Sequence, residues 1–144
     1  PSLKIGYSTE TDSLGKMNEK IWFINRGLGP AFIEKISIVD SSGRHDTDLY
    51  GYFKKIDGNE DINFMKRAFP GTIIPVNERM VLYDKNTDLT SKVVLMNYFI
   101  YPFTKKTKLP GGKYDKAILE VYYKNVYGDR WKVRSDNHIP TQLD

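Results

Sequence analysis

The sequence predicts a mainly-β fold, an antiparallel two-layer sandwich, on three observations. Short apolar runs alternate with polar residues and are separated by Gly-, Pro-, Asp- and Asn-rich turns. Aromatic residues make up 13% of the chain, with ten Tyr and seven Phe, and such side chains suit a pleated, half-buried surface. No regular alternation of strand and helix is present, which argues against a parallel doubly wound sheet. A chain of 144 residues suits one domain, so residues 1–144 are taken as a unit.

Leu3, Ile5 and Tyr7 alternate against Lys4 and Gly6, so Leu3 to Ser8 reads as a first strand and Thr9 to Asn18 as a polar loop. Lys20 to Asn25 holds Ile21, Trp22, Phe23 and Ile24 and is apolar on both faces, as in a central strand. Asn25-Arg26-Gly27-Leu28-Gly29-Pro30-Ala31 is a turn or bulged connection. Phe32 to Asp40 resumes a strand with Phe32, Ile36 and Ile38 on one face, and Asp40-Ser41-Ser42-Gly43 closes it.

A helical insertion over about 46–68 follows from the change to helical spacing. Asp46 is placed to cap a helix in which Leu49, Tyr52, Phe53 and Ile56 recur on one face. Phe64, Met65 and Ala68 share a face in a second helical stretch that Pro70-Gly71 ends. Thr72 to Ile74 and Arg79 to Tyr83 read as strands. Over Thr90 to Phe99 the spacing of Leu89, Val93, Met96 and Ile100 favours helix over the β-branched and aromatic content, which favours strand. Pro102 to Tyr114 is a basic loop. Asp115 to Asn125 is a strand with Ala117, Leu119, Val121 and Tyr123 on one face, and Tyr127-Gly128-Asp129 turns it into a return strand, Arg130 to Ser135. Trp131 and Val133 should point inward there, and Asn137 to Asp144 reads as a fraying tail. About seven strands joined by short turns fit an immunoglobulin-like sandwich.

The formal net charge is +4, from 22 Lys and Arg against 18 Asp and Glu, which permits an anionic partner without demanding one. No cysteine is present, so disulfides, thiolate metal sites and a cysteine nucleophile are excluded. No apolar run is long enough to span a bilayer. The first residue is Pro1 in place of an initiator methionine, which raises the expectation of an upstream segment.

The segment from Ile21 through Asn25-Arg26-Gly27-Leu28-Gly29-Pro30-Ala31 to Ile36 resembles a pattern in bacterial proteins of unassigned function, where an apolar strand runs into Asn-x-Gly-x-Gly-Pro-Ala and a second strand. Ile74-Pro75, Glu78 and Leu82-Tyr83 resemble that group's Pro-x-x-Glu with its apolar strand, and Tyr122 to Trp131 resembles its closing hairpin. The resemblance covers both ends of the chain and not its middle. It implies an extracytoplasmic sandwich behind a membrane anchor, and no activity, cofactor or catalytic residue.

Gly27-x-Gly29 is followed by strand and not by a helix N-terminus, so it reads as a strand connection and not a phosphate loop. His45 and His138 are the only histidines; His45-Asp46-Thr47-Asp48 reads as a helix cap before a metal site, and no nucleophile-elbow sequence accompanies a Ser-His-Asp set. Glu120 is expected to be a solvated carboxylate beside Tyr122 and Lys124. Two surfaces remain as candidates. Tyr50, Tyr52, Phe53, Phe64 and Phe69 of the insertion should mostly pack on the sandwich, and any left exposed would mark a partner surface. Lys105, Lys106 and Lys108 with Arg130, Lys132 and Arg134 would form an anionic-surface contact, with Tyr122 and Tyr127 interleaved for stacking on bases, unless they only solubilise a sheet face. The expected function is a non-enzymatic binding domain of a membrane-anchored bacterial protein. It acts on the extracytoplasmic side, without a cofactor, on an unidentified protein or ligand, and an exposed edge strand could make it a homodimer. A nucleic-acid-binding sandwich and a small hydrolase or carbohydrate-processing domain are the rivals.

Overall fold

The structure, a computed structural model, describes residues 2–11, 16–40, 42–52, 67–88, 107–108, 114–115 and 117–143. These residues are mainly β. The strands are β1 (Leu3–Thr11), β2 (Lys16–Asn25), β3 (Ala31–Asp40), β4 (Gly43–His45), β5 (Ile73–Ile74), β6 (Arg79–Asp88), β7 (Thr107–Lys108), β8 (Tyr114–Asp115), β9 (Ile118–Lys124), β10 (Arg130–Arg134) and β11 (Asn137–Leu143). One antiparallel sheet runs β1-β2-β6. A second runs β11-β10-β9-β3-β4, with β5 on the start of β3, and β7 pairs with β8 apart from both.

The two large sheets share one core. Leu3, Ile21, Phe23, Met80 and Leu82 face inward from the first sheet, and Ala31, Ile33, Ile36, Ile38, Leu119, Val121, Tyr123 and Val133 from the second. The alternation read along 117–123 and the inward Val133 are reproduced, with Trp131 stacked on Tyr123 at 5.9 Å. Tyr123 also ties the layers covalently distant in the chain: its hydroxyl accepts the Leu3 N–H at 3.2 Å across the core. Burial pushes the Tyr123 phenol up from its ordinary range, against the opposing effect of that amide, so it stays neutral.

Several expectations change. Within the loop expected over Thr9 to Asn18 the described residues are strand: β1 continues to Thr11 and β2 starts at Lys16, because backbone pairing extends polar strands that side-chain hydrophobicity cannot announce. Ile33, and not Phe32, joins Ile36 and Ile38 in the core, because a bulge between Ile33 and Lys35 shifts the alternation by one residue. The tail expected to fray from Asn137 is the edge strand β11, paired to β10 with an irregularity between Lys132 and Arg134. Pro140 lies within that irregular stretch, where its missing donor is tolerated. On the outer face of the first sheet Trp22 lies over Gly6, where a Cβ would sit 2.5 Å from the indole, and Arg79 covers the ring at 4.3 Å.

Of the insertion, residues 49–52 are helical, and Leu49, Tyr52 and Ala68 are buried as the spacing expects. The cap is Asp48, not Asp46. Asp48 Oδ1 accepts the Gly51 N–H at 3.0 Å, the geometry of an N-cap to its third helical residue, while Asp46 is drawn to Ser37 and Lys35. Residues 53–66 and the ambiguous segment 90–100 lie outside the described residues.

Asn25 closes one end of the sandwich. It is fully buried, and its amide donates to the carbonyls of Gly29 at 2.8 Å and Ile74 at 2.9 Å, while its Oδ1 accepts from Ser2 N at 3.2 Å and Gly27 N at 3.0 Å. Its backbone carbonyl takes the Asn77 N–H at 2.7 Å. Replacing Asn25 with Ala should therefore lower stability by about 2–4 kcal/mol, since it strands several buried groups at once. Asn25→Asp should cost at least as much, because a carboxylate cannot donate to the two carbonyls. Urea denaturation followed by Trp fluorescence measures both, and Asn125→Ala, in an exposed turn, should change stability by less than about 1 kcal/mol.

Candidate functional site

The outer face of the second sheet carries Arg130, Lys132 and Arg134 of the cations the sequence singles out. Residues that alternate with the core positions of β3, β9 and β10 point there, and β4 adds Arg44 opposite Val39. Ser37 and Glu120 are directly opposite in register on this face. Glu120 is only 1% exposed, which overturns the expectation of a solvated carboxylate. Arg44 and Tyr122 both donate to Glu120 Oε2, and Arg134 Nη1 lies 3.7 Å from Oε1. Burial alone would raise the Glu120 carboxyl; the Arg44 hydrogen bond and charge, with Tyr122 and Arg134, outweigh it and leave it below the ordinary range.

The neighbouring cations are similarly engaged. Arg130 Nε donates to Glu34 at 2.8 Å, and Arg134 forks onto Asp136 at 2.8 and 2.9 Å. Lys35 reaches Asp46 at 3.3 Å, and Lys35 and Lys132 lie over the Tyr122 ring at 5.5 and 5.9 Å. Tyr122 thus has two lysines at its ring and a carboxylate at its hydroxyl, whereas Tyr127 stands in solvent. Lys108 pairs through its backbone with Tyr114 in the separate two-stranded ribbon, which is not hydrogen-bonded into the sheet that carries Arg130, Lys132 and Arg134. Lys105 and Lys106 lie outside the described residues.

A second cluster sits where β3 turns into β4. Asp40 accepts from Ser42 Oγ at 2.7 Å, Ser42 N at 2.9 Å and Tyr52 OH at 2.7 Å, and His45 Nε2 stands 3.0 Å from its Oδ1. Ser42 Oγ is also 3.0 Å from His45 Nε2. The fold therefore brings together a Ser, a His and an Asp that the sequence offers within six residues. The geometry is not that of a nucleophilic triad, in which serine and carboxylate use opposite ring nitrogens. Both contacts fall on the same nitrogen here, and the Ser42 hydroxyl is directed at the carboxylate. The arrangement clamps the β3–β4 hairpin to the helical residues 49–52, with His45 edge-on to Tyr52 at 5.7 Å. Among the described residues no group of three or more His, Cys, Asp or Glu could hold a metal ion.

The described aromatic residues of the insertion, expected mostly to pack on the sandwich, differ in burial. Tyr52 is buried and hydrogen-bonded, Tyr50 is partly exposed, and Phe69 is exposed. Arg67 lies between the last two, 4.9 Å from Tyr50 and 5.0 Å from Phe69, and its fork is fixed by Asp48 at 3.0 and 3.2 Å. The guanidinium joins the helix cap to the turn before β5. Phe53 and Phe64 lie outside the described residues.

Sequence reasoning missed the fully exposed Leu28 between β2 and β3 and the exposed Val126 between β9 and β10, which stands beside the expected Tyr127. The signal is an apolar side chain inside each of two segments that read as tight turns, where turn chemistry concerns the backbone and is silent on what the tip presents. No protein-family pattern, curated protein or solved structure matches the chain.

Two outcomes follow from the charged clusters. Asp40 is opposed by burial, yet the hydrogen bonds from Ser42, Tyr52 and His45 lower it from 3.8 to about 2. A depressed carboxyl stabilises the fold above its unfolded value and loses that contribution as pH falls through the folded one. The wild-type advantage over Asp40→Asn should be of order 2 kcal/mol at neutral pH and should shrink between about pH 4 and pH 2, as urea midpoints across pH will show. Arg44→Met should raise the Glu120 carboxyl, read by carbon-detected NMR titration, and cost about 1–3 kcal/mol. Arg134→Met should move Glu120 less, because its fork is already held by Asp136.

Proposed function

We propose that this domain is a non-catalytic immunoglobulin-like binding module on the extracytoplasmic side of a bacterial membrane-anchored protein. The observation that supports the reading is the strand order: β1-β2-β6 against β4-β3-β9-β10 is compatible with A-B-E and C′-C-F-G sheets, with β11 added beyond the last strand. In such sandwiches the connections at the two ends are the parts free to vary, and binding is commonly carried there while the strands hold the core.

The disposition of polar groups supports a binding role over a hydrolytic one. Glu120, Asp40 and Asp48, the described carboxylates held deepest on the second sheet and the helix start, each face an arginine or a set of hydroxyl donors, and none converges with another carboxylate at a cleft. The pairing of Arg130, Arg134 and Lys35 with carboxylates also lowers the charge available to a polyanion, against the nucleic-acid reading. The Asn25 to Ala31 resemblance supports the bacterial, anchored setting.

Placement is tested in the native host with the full-length gene product carrying alkaline phosphatase or a cytoplasm-dependent fluorescent protein after Asp144. The phosphatase fusion should be active and the fluorescent fusion dark. The reverse pattern rejects the extracytoplasmic reading. Titration with labelled single- and double-stranded DNA at low salt should stay flat, and saturable, salt-sensitive binding would favour the nucleic-acid rival instead.

A further inference from the structure

Two loops at one end of the domain are built on the same plan. Asn25 begins the first and holds it through Gly27 N and the Gly29 carbonyl. Asn125 begins the second: its Oδ1 accepts from Tyr127 N and Asp129 N at 2.9 Å each, its amide donates to Asp129 Oδ2 at 2.9 Å, and its backbone pairs with Asp129 and Gly128. Gly128 takes a positive φ of 89°, which closes the turn. The loops are neighbours because Phe32, just after the first, is in register with Lys124, just before the second. Each fixed loop carries apolar side chains at its tip: Leu28 is 102% exposed, Tyr127 87% and Val126 61%. Ile73, paired beside Phe32 on the adjoining edge, is also exposed.

We infer that this end of the domain docks on an anionic lipid surface, with Leu28, Val126 and Tyr127 entering the interfacial layer. Three observations choose a bilayer over a protein. Leu28 touches nothing, so the tips do not form the packed patch around a central anchor that marks a protein interface. Protruding apolar tips need a matching cavity in a protein partner, whereas a fluid interface admits them without one, and tyrosine suits the boundary between headgroups and acyl chains. Charge agrees. Arg26 and Lys124 are exposed beside the tips with no carboxylate partner among the described residues, and Arg79 adds a third cation at the same end, against the exposed Glu78. Cations at this depth meet phosphate headgroups. The rigidity of both loops leaves little ordering cost at docking.

The inference rests on the binding-module reading and adds its partner. The test is co-sedimentation of the full chain with vesicles of phosphatidylcholine alone or mixed with phosphatidylglycerol. Wild type should bind the mixed vesicles more strongly than the neutral ones. The double variant Leu28→Ser with Tyr127→Ser should bind about tenfold more weakly. Ile139→Ser, which removes an exposed apolar side chain from β11, should bind as wild type, and Arg26→Gln with Lys124→Gln should lose the preference for anionic vesicles. Circular dichroism confirms that each variant folds. Absence of wild-type sedimentation, or wild-type binding by the Leu28/Tyr127 variant, overturns the inference. A protein captured through Tyr127 without vesicle binding also overturns it, while leaving the binding-module reading standing.

Discussion

One buried amide holds the end of this domain together. Asn25 is the last residue of β2, and its side chain uses both donors and both acceptor directions on segments separated by up to about fifty residues: the start of β1, the β2–β3 connection and the end of β5. Only an uncharged side chain with two donors and a carbonyl can satisfy this set. Glutamine would carry the same groups one methylene too far, and aspartate would set charge against two carbonyl oxygens. The consequence reaches both sheets, because β1 and β2 belong to one and β3 and β5 to the other. The hydrophobic core makes the two layers attract each other, but that attraction is non-directional. Asn25 and the Tyr123–Leu3 hydrogen bond specify how the layers are aligned.

Polar pairing also explains how a sheet with a crowded, charged outer face is tolerated. Cations on neighbouring strands would repel across the short distances of a sheet. Glu34, Asp46, Glu120 and Asp136 are interleaved with Arg130, Lys35, Arg44 and Arg134 so that each of these cations finds a carboxylate, Arg130 and Arg44 by reaching across one intervening strand. The deepest of these, Glu120, is buried with Arg44 and Tyr122 hydrogen-bonded to its carboxylate. Its position is stable only while Arg44 and Tyr122 reach over it. A face organised in this way is held by local neutralisation, and its net positive charge understates how few of its cations are free.

The fold was legible where a side chain's chemistry and its position in the sheet coincide. Ala117, Leu119, Val121 and Tyr123 alternate into the core, and Asn25 to Ala31 reads as a connection, because apolar period and glycine placement carry those facts directly. It was not legible where pairing is made by backbone alone. The extensions of β1 to Thr11 and of β2 from Lys16, and the strand β11, consist largely of polar residues with no hydrophobic period. A bulge likewise leaves no compositional trace, so Phe32 and Ile33 exchanged faces. The charged site was misread for a related reason. A single carboxylate on an outer strand face looks solvated until the strands beside it are known, and Arg44 is seventy-six residues away in sequence from Glu120. Asp46 and Asp48 offer the same capping chemistry two positions apart, and only the contact of the Asp48 carboxylate with the Gly51 N–H separates them.

The contrast between the two ends of the domain is what gives the loop tips their significance. At the β3–β4 turn the reactive-looking side chains are drawn inward: Ser42, His45 and Tyr52 all close on Asp40, which leaves the hairpin without an outward-facing group of unusual chemistry. At the opposite end the polar groups are also turned inward, onto Asn25 and Asn125, but the apolar side chains are turned out. Exposing Leu28, Val126 and Tyr127 forgoes the burial that would have stabilised the fold. Both loops nevertheless spend their hydrogen bonds on holding these residues in that exposed position. A flexible loop would let its apolar residues fold back onto the nearby sheet edge. A loop locked at its base by an asparagine cannot, so the exposure is a built feature of the domain and directs the tips toward an apolar medium outside it.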